Sequence, residues 1–335
     1  MEARKDFRIE AVSGPQVWYG ADFANNTNWI YHLPAEVVTA INSIVFPAVA
    51  EGVTQHTFEF EKIEVPGLRT TLRLITNSLA LGHGFAMLRG LSVERYSTEE
   101  LKLALLIIGH HMGLIGPQDG HSKSIGEVRD IKPNLRTHYY HGGGPLPMHM
   151  DPVDAVGLLC IRKAKKGGES QIVSSMVVHN EILQQRPDLI PFLYRGYKHR
   201  RRNQRLSKDG GKITNYNCPI FADVGGQIVS NYIPRPIQLA VEQGLVSLTS
   251  PEEDALALLD ETAARDDLCL KMDMVPGDIQ FLNNRLIMHG RADYVDFNAL
   301  EDRRLMLRLW LTIPEWEKYP ENMPHSDVEL KTAPA

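Results

Sequence analysis

Asn283-Asn284-Arg285-Leu286-Ile287-Met288-His289-Gly290-Arg291, read together with His149-Met150-Asp151 far upstream, decides how this chain folds. Residues i and i+2 of a strand share a face, so His149 and Asp151 can reach one point from one strand. His289, on a strand of its own, brings a second imidazole to that point. Two imidazoles and one carboxylate can occupy one face of a ferrous ion and leave the other face open. Behind His289 lies a strand-like run, Arg303 to Ile313, carrying Arg304 and Arg308. An arginine there can hold the far carboxylate of a bidentate co-substrate such as 2-oxoglutarate through its planar fork. The pattern reads as an oxygen-activating enzyme.

A His-x-acid pair proves little by itself. The chain has three, His149/Asp151, His179/Glu181 and His325/Asp327, where composition predicts roughly one or two by chance. Setting separates them. Val177 to Gln185 has helical spacing, which turns His179 and Glu181 away from each other. His325 and Asp327 lie in the Pro-rich tail with no later histidine to complete a site. His149 follows the turn-forming Gly142-Gly143-Gly144-Pro145 and precedes an apolar strand, Ala155 to Ile161.

Working outward, Pro34 to Phe46 and Thr70 to Leu81 have a helical apolar period, and Phe85 to Leu91 reads as a buried strand. Ser97-Thr98-Glu99-Glu100 is a capping box that opens a helix running to about Met112. From Glu127 onward short strands dominate: Glu127 to Ile131, Ala155 to Ile161, Ser170 to Met176, and a hairpin over Ile220 to Tyr232 turning at Gly225-Gly226. Two helices follow, one from about Pro236 and one capped by Ser250 with Pro251 in its first turn. Strands resume at Leu268 to Met274, Ile279 to Leu282 and Arg303 to Ile313. Many short strands with turn signals favour a barrel or sandwich. The expected organisation is a single domain over 1–335, with an N-terminal helix and strand region over about 1–125 and a helical insert over about 234–267.

Composition narrows the classes. At 335 residues and 43% hydrophobic content the chain can bury a sizeable core. A net charge of −5 and an isoelectric point near 6.2 argue against a general nucleic-acid or anionic-membrane binder. The basic run Lys198 to Arg205 has no interleaved aromatic platform and reads as a solvated edge. Cys160, Cys218 and Cys269 have neither zinc-knuckle nor disulfide-framework spacing. No apolar run approaches the length of a transmembrane span and no signal core opens the chain, so a cytoplasmic protein is expected. The expected partner is a small-molecule substrate, with no nucleic acid and no membrane. Self-association is the one macromolecular partnership left open.

These motifs together resemble the taurine dioxygenase-like (TauD/TfdA) branch of the iron(II)/2-oxoglutarate-dependent oxygenases. Pro147 to Asp151 resembles the first metal motif, and Gly167-Gly168-Glu169-Ser170 resembles the Gly-Gly-acid-Thr segment, with Ser in place of the commoner Thr. Pro276-Gly277-Asp278, Asn284-Arg285, His289-Gly290-Arg291 and Arg304 to Leu311 are similar to the closing strands. The resemblance is looser ahead of the barrel, over Gly84 to Gly90 and the helix after it. It implies a mainly β fold with flanking helices, a double-stranded β-helix (jelly-roll) barrel. It also implies His149, Asp151 and His289 on Fe(II), Arg304 and Ser170 on 2-oxoglutarate, and O2 as the oxidant. Arg308 shares a strand face with Arg304 and serves either the C1 carboxylate of 2-oxoglutarate or an anionic substrate.

Weaker expectations place Tyr139, Asn231, Arg235 and Arg291 near the substrate, an amino acid or small carboxylate. Each assignment has a plain structural competitor: a hydrogen-bonded histidine beside a turn, a surface ion pair, an ordinary strand hydroxyl. A zinc-dependent hydrolase would also use two histidines and a carboxylate, but has no need of the paired arginines. A catalytically silent metal-binding protein is the other alternative.

Overall fold

Leu305–Thr312 sets leucines alternately with Met306, Arg308 and Trp310. Successive strand side chains point to opposite faces. Leu305, Leu307, Leu309 and Leu311 therefore join one buried cluster, while Met306 and Trp310 join another. The rest of the molecule is arranged around these two faces. The computed structural model describes residues 10–118, 124–131, 143–201, 211–316 and 319–323. Tyr139, the arginines at 202 and 205, and the His325/Asp327 pair lie outside the described residues.

In chain order the first strands are β1 (Ile30–His32), β2 (Phe85–Arg89), β3 (Leu114–Gly116), β4 (Ile125–Val128), β5 (Leu146–His149), β6 (Ala155–Arg162), β7 (Lys166–Gly167) and β8 (Ser170–Ser174). They continue with β9 (Phe221–Val224), β10 (Gln227–Ser230), β11 (Leu270–Met272), β12 (Ile279–Asn283), β13 (Ile287–Arg291), β14 (Tyr294–Val295) and β15 (Leu305–Thr312). The helices are α1 (Ala35–Ala50), α2 (Leu68–Leu81), α3 (Thr98–His110), α4 (Ser175–Gln185), α5 (Ile190–Arg195), α6 (Pro234–Glu242) and α7 (Ser250–Ala263). The large sheet runs β1-β2-β12-β6-β15-β3, with β4 also paired to β15. A second sheet runs β11-β8-β13-β5, and β9/β10 and β7/β14 form two-stranded ladders.

Both main sheets send side chains into one cluster: Phe85, Met87, Val156, Cys160, Met306 and Trp310 from the first, and Met148, Ile172, Ile287 and Leu270 from the second. The other cluster lies between the large sheet and α1, α2 and α3. Val37, Ile41 and Val45 recur at i+4 on α1, and Leu68, Leu72, Ile75 and Leu79 make the buried stripe of α2. α3 is buried on every side from Leu101 to Gly109, its apolar run broken only by Lys102, which pairs with Glu99 and Glu127.

The expectation of a mainly β chain is corrected: among the described residues the seven helices hold more residues than the strands. The architecture is a mixed one of sheets flanked by helices. The capping box at Ser97 forms as read, with Glu100 N–H donating to Ser97 Oγ at 3.2 Å. The cap of α7 is shifted by one residue. Thr249 and Glu252 form the reciprocal box, so Ser250 is already helical and Pro251 follows in the first turn.

Candidate metal centre and co-substrate pocket

β5 and β13 pair antiparallel with His149 directly opposite His289, so register alone brings the two imidazoles to one edge. Their ring centroids are 4.4 Å apart. The close approach depends on Gly290, where a Cβ would lie 2.7 Å from the Leu146 carbonyl oxygen and 3.3 Å from Met148 Sδ. Asp151 lies just beyond β5 in a segment tied down from both sides. Met150 N–H donates to Tyr232 O at 2.8 Å, and Asp151 N–H to Asn284 Oδ1 at 3.4 Å. One ligand atom from each of His149, Asp151 and His289 falls within 4.8 Å of the others.

The donor set fits a divalent transition metal on the chemistry of its atoms. His149 Nδ1 is 2.9 Å from Pro147 O, and only an N–H can donate to a carbonyl, so Nε2 keeps its lone pair for a metal. His289 Nδ1 is buried and has no hydrogen-bond partner among the described residues. Burial, reinforced by His149 and Arg308 against the pull of Asp151, pushes His289 down to about 3, so it is a neutral ligand at pH 7. For Asp151, burial works to raise the carboxyl. Arg308, the two imidazoles and the Trp310 hydrogen bond outweigh it and hold the group below its ordinary value.

Trp310 and Arg308 reach Asp151 from the inward face of β15. Trp310 Nε1–H donates to Asp151 Oδ2 at 2.8 Å, and Arg308 Nη1 lies 3.3 Å from the same oxygen. Arg308 Nε also donates to Gln118 Oε1 at 2.9 Å. Sequence reading put Arg308 in the site but not Trp310 or Gln118. The signal for Trp310 was present in the period of two that joins it to Arg304, Met306 and Arg308.

Arg304, 3% exposed, begins the same inward row. Its Nη1 is buried without a hydrogen-bond partner among the described residues. Burial, then the neighbouring Arg291, pushes its guanidinium down to about 10. Ser170 and Arg304 line one cavity with Gly168, Met272 and Met306. Gly167 and Gly168 both adopt positive φ. A Cβ at Gly167 would lie 2.2 Å from Asp293 O, and one at Gly168 3.3 Å from both Arg304 Nε and Tyr294 Cβ. The glycine pair is what lets β7 and β14 close over the arginine. Ser170 Oγ donates to Gln280 Oε1 at 3.0 Å.

The weaker candidates separate. Arg291 stands opposite Ser170 across the β13–β8 ladder and donates from Nε and Nη2 to Gly144 O, at 3.2 and 2.7 Å. Asn231 is buried next to Tyr232, which carries the carbonyl bonded to Met150. Arg235 is not brought in: α6 begins at Pro234, and Arg235 sits on its exposed side, paired with Glu242 at 2.8 Å. His179 and Glu181 diverge as expected. His179 is buried against the Tyr194 hydroxyl at 3.0 Å, and Glu181 pairs with Arg265.

A model of the taurine catabolism dioxygenase TauD, TfdA family matches residues 51–310. FR-33289 synthase of Streptomyces rubellomurinus is 28% identical over 326 residues, covering 93% of each chain. A taurine hydroxylase-like protein, SAT17, of Stachybotrys chartarum is 26% identical over 342 residues, covering 95% of this chain and 86% of its own. Among solved structures, asparagine oxygenase with Fe(II), 3-hydroxyasparagine and succinate superposes with a TM-score of 0.65 at 15% identity, over 85% of this chain and 94% of that one. The non-heme iron oxygenase OrfP with Fe, succinate and (3S)-hydroxy-L-Arg does so at 0.62 and 12% identity, over 88% and 99%.

Proposed function

The chain belongs to the taurine catabolism dioxygenase TauD, TfdA family, and on that footing we propose that it uses ferrous iron, 2-oxoglutarate and O2 to oxidise an unactivated C–H bond of a small molecule. The observation that carries this reading is the convergence of His149, Asp151 and His289, together with a buried arginine, Arg304, whose Nη1 has no partner among the described residues and which lies four residues before the Arg308 that touches Asp151. The paired sheets are read as a double-stranded β-helix, one domain over the whole chain with α6 and α7 as its insert between β10 and β11.

Bound there, ferrous iron would activate O2, with 2-oxoglutarate giving up two electrons as it becomes succinate and CO2 and the remaining oxidising power falling on the substrate. The protein's part is geometry and charge. His149 presents its Nε2 and His289 a neutral imidazole, and Asp151 stays ionised because Arg308 and Trp310 hold its carboxylate. Arg304 offers a planar fork to the distal carboxylate of 2-oxoglutarate, with Ser170 beside it in the same cavity. Met148, Met150, Val156 and Trp310 wall the interior with apolar surface and exclude water. Arg308, already next to the metal carboxylate, is placed to orient the C1 carboxylate or an anionic group of the substrate. Asn231 is a candidate for the substrate side, while Arg235 is left out.

An amino acid or small carboxylate is the substrate class proposed. The hydroxylated asparagine and arginine bound to the structural neighbours support it. The test is succinate formation from 2-oxoglutarate across a panel of amino acids and organic acids, with the oxidised product followed by mass spectrometry. Turnover is expected to require both ferrous iron and O2. Substrate hydrolysis supported by zinc without O2 would overturn the reading.

A further inference from the structure

Two buried donor groups near the proposed co-substrate pocket, Arg304 Nη1 and the Tyr294 hydroxyl, have no acceptor among the described residues. Both atoms are sealed from solvent, and a buried donor left unmade costs far more than an ordinary hydrogen bond gains. They are neighbours. Arg304 Cζ lies 5.8 Å from the Tyr294 ring centroid, and a Cβ at Gly168 would touch Arg304 Nε and Tyr294 Cβ alike at 3.3 Å. The β14–β7 ladder, with Tyr294 opposite Gly167, holds the tyrosine in place.

The Ser170 and Gln280 side chains are engaged. The Ser170 hydroxyl, expected from the sequence to serve this ligand, gives its proton to Gln280 Oε1, and the Gln280 amide nitrogen lies 2.9 Å from Met272 Sδ. A carboxylate beside Ser170 would therefore meet lone pairs rather than a donor. Arg291 bonds Gly144 O while its guanidinium carbon sits 4.7 Å from the Tyr294 centroid. Burial raises the Tyr294 phenol by more than Arg291 and Arg304 draw it down, so it remains a proton donor at neutral pH.

We propose that Tyr294 binds the distal carboxylate of 2-oxoglutarate, donating its hydroxyl hydrogen beside the Arg304 fork and taking the role that the Ser170 hydroxyl has given to Gln280. This rests on the co-substrate reading above. The pocket then recognises the carboxylate by the Arg304 fork and one neutral donor, with the Arg291 guanidinium against the Tyr294 ring adding positive charge.

The test is anaerobic titration of the ferrous protein, following the metal-to-ligand charge-transfer absorption of a chelated 2-keto acid. Tyr294→Phe keeps the ring against both guanidiniums and removes only the hydroxyl. It is expected to weaken 2-oxoglutarate binding by about 10- to 100-fold, the range for a lost hydrogen bond to a charged group. 2-Oxobutyrate chelates through the same keto acid but has no distal carboxylate, and it should bind both proteins equally. Wild-type affinity for 2-oxoglutarate in Tyr294→Phe, or equal losses with both keto acids, would overturn the assignment. A wild-type ferrous protein that develops no absorption band with either keto acid would instead overturn the co-substrate reading, and this assignment with it.

Discussion

Replacing Asp151 by alanine removes a proposed metal ligand, strands the Trp310 indole N–H and takes from Arg308 Nη1 its carboxylate acceptor. Stranded buried donors cost about 1–3 kcal/mol each, so Asp151→Ala is expected to lose stability as well as turnover. Among the described residues His149 makes one side-chain hydrogen bond, to Pro147 O. His149→Ala should therefore abolish succinate formation with a thermal midpoint near that of the wild type. Succinate assays paired with thermal denaturation check both, and an Asp151→Ala protein as stable as His149→Ala would refute the assigned bonds. The proposed ligands and Arg304 stand out in the sequence because each is a charged or metal-binding residue where a strand predicts core. Trp310 and Tyr294 were not, because an aromatic residue in a strand reads as packing. Only the register reveals where an indole N–H or a phenol hydroxyl ends up.

Short strands and helices were legible where local chemistry marks their ends, as at the Ser97 box and the Gly225-Gly226 hairpin turn. Where such marks are weak, reading failed. α5 is a six-residue helix with Pro191 in its first turn, and no periodicity can emerge over so short a span. Pairing between strands was legible only through its consequence, the meeting of His149 and His289. Gly290 is the residue on which that pairing turns, since its hydrogen faces the Leu146 carbonyl. Gly290→Ala should push β5 away from β13, lowering stability by about 1–3 kcal/mol as overpacking does. Metal affinity should fall with it, because the two imidazoles separate. Metal titration of the variant by calorimetry checks this, with wild-type affinity as the result that excludes it.

The division into two buried clusters, one around the site and one under α1, α2 and α3, was not predictable from periodicity, which shows that a face is buried but not against what. It has a consequence for acid stability. Burial pushes His199 down to about 4 and His289, with added repulsion from His149, to about 3. Below the ordinary histidine value of 6.5 the unfolded chain takes up protons that the folded one refuses. The metal-free protein should thus lose stability as pH falls from 6.5 toward 4, and hold steady above 6.5 as far as these two groups are concerned. His199→Gln should flatten part of that slope in denaturant titrations at pH 5 and pH 7. An unchanged slope would place His199 in contact with solvent.

β15 is read twice, once by the helices through its leucines and once by the site through Arg304, Met306, Arg308 and Trp310. A one-residue deletion anywhere within it exchanges the two readings for every position beyond the cut, putting leucines at the metal and guanidiniums under the helices. Lineages descended from this chain can change the strand only by substitution, one letter at a time and on one face at a time. Gains and losses of length, the quicker route to new specificity, are left to the loops that join the strands.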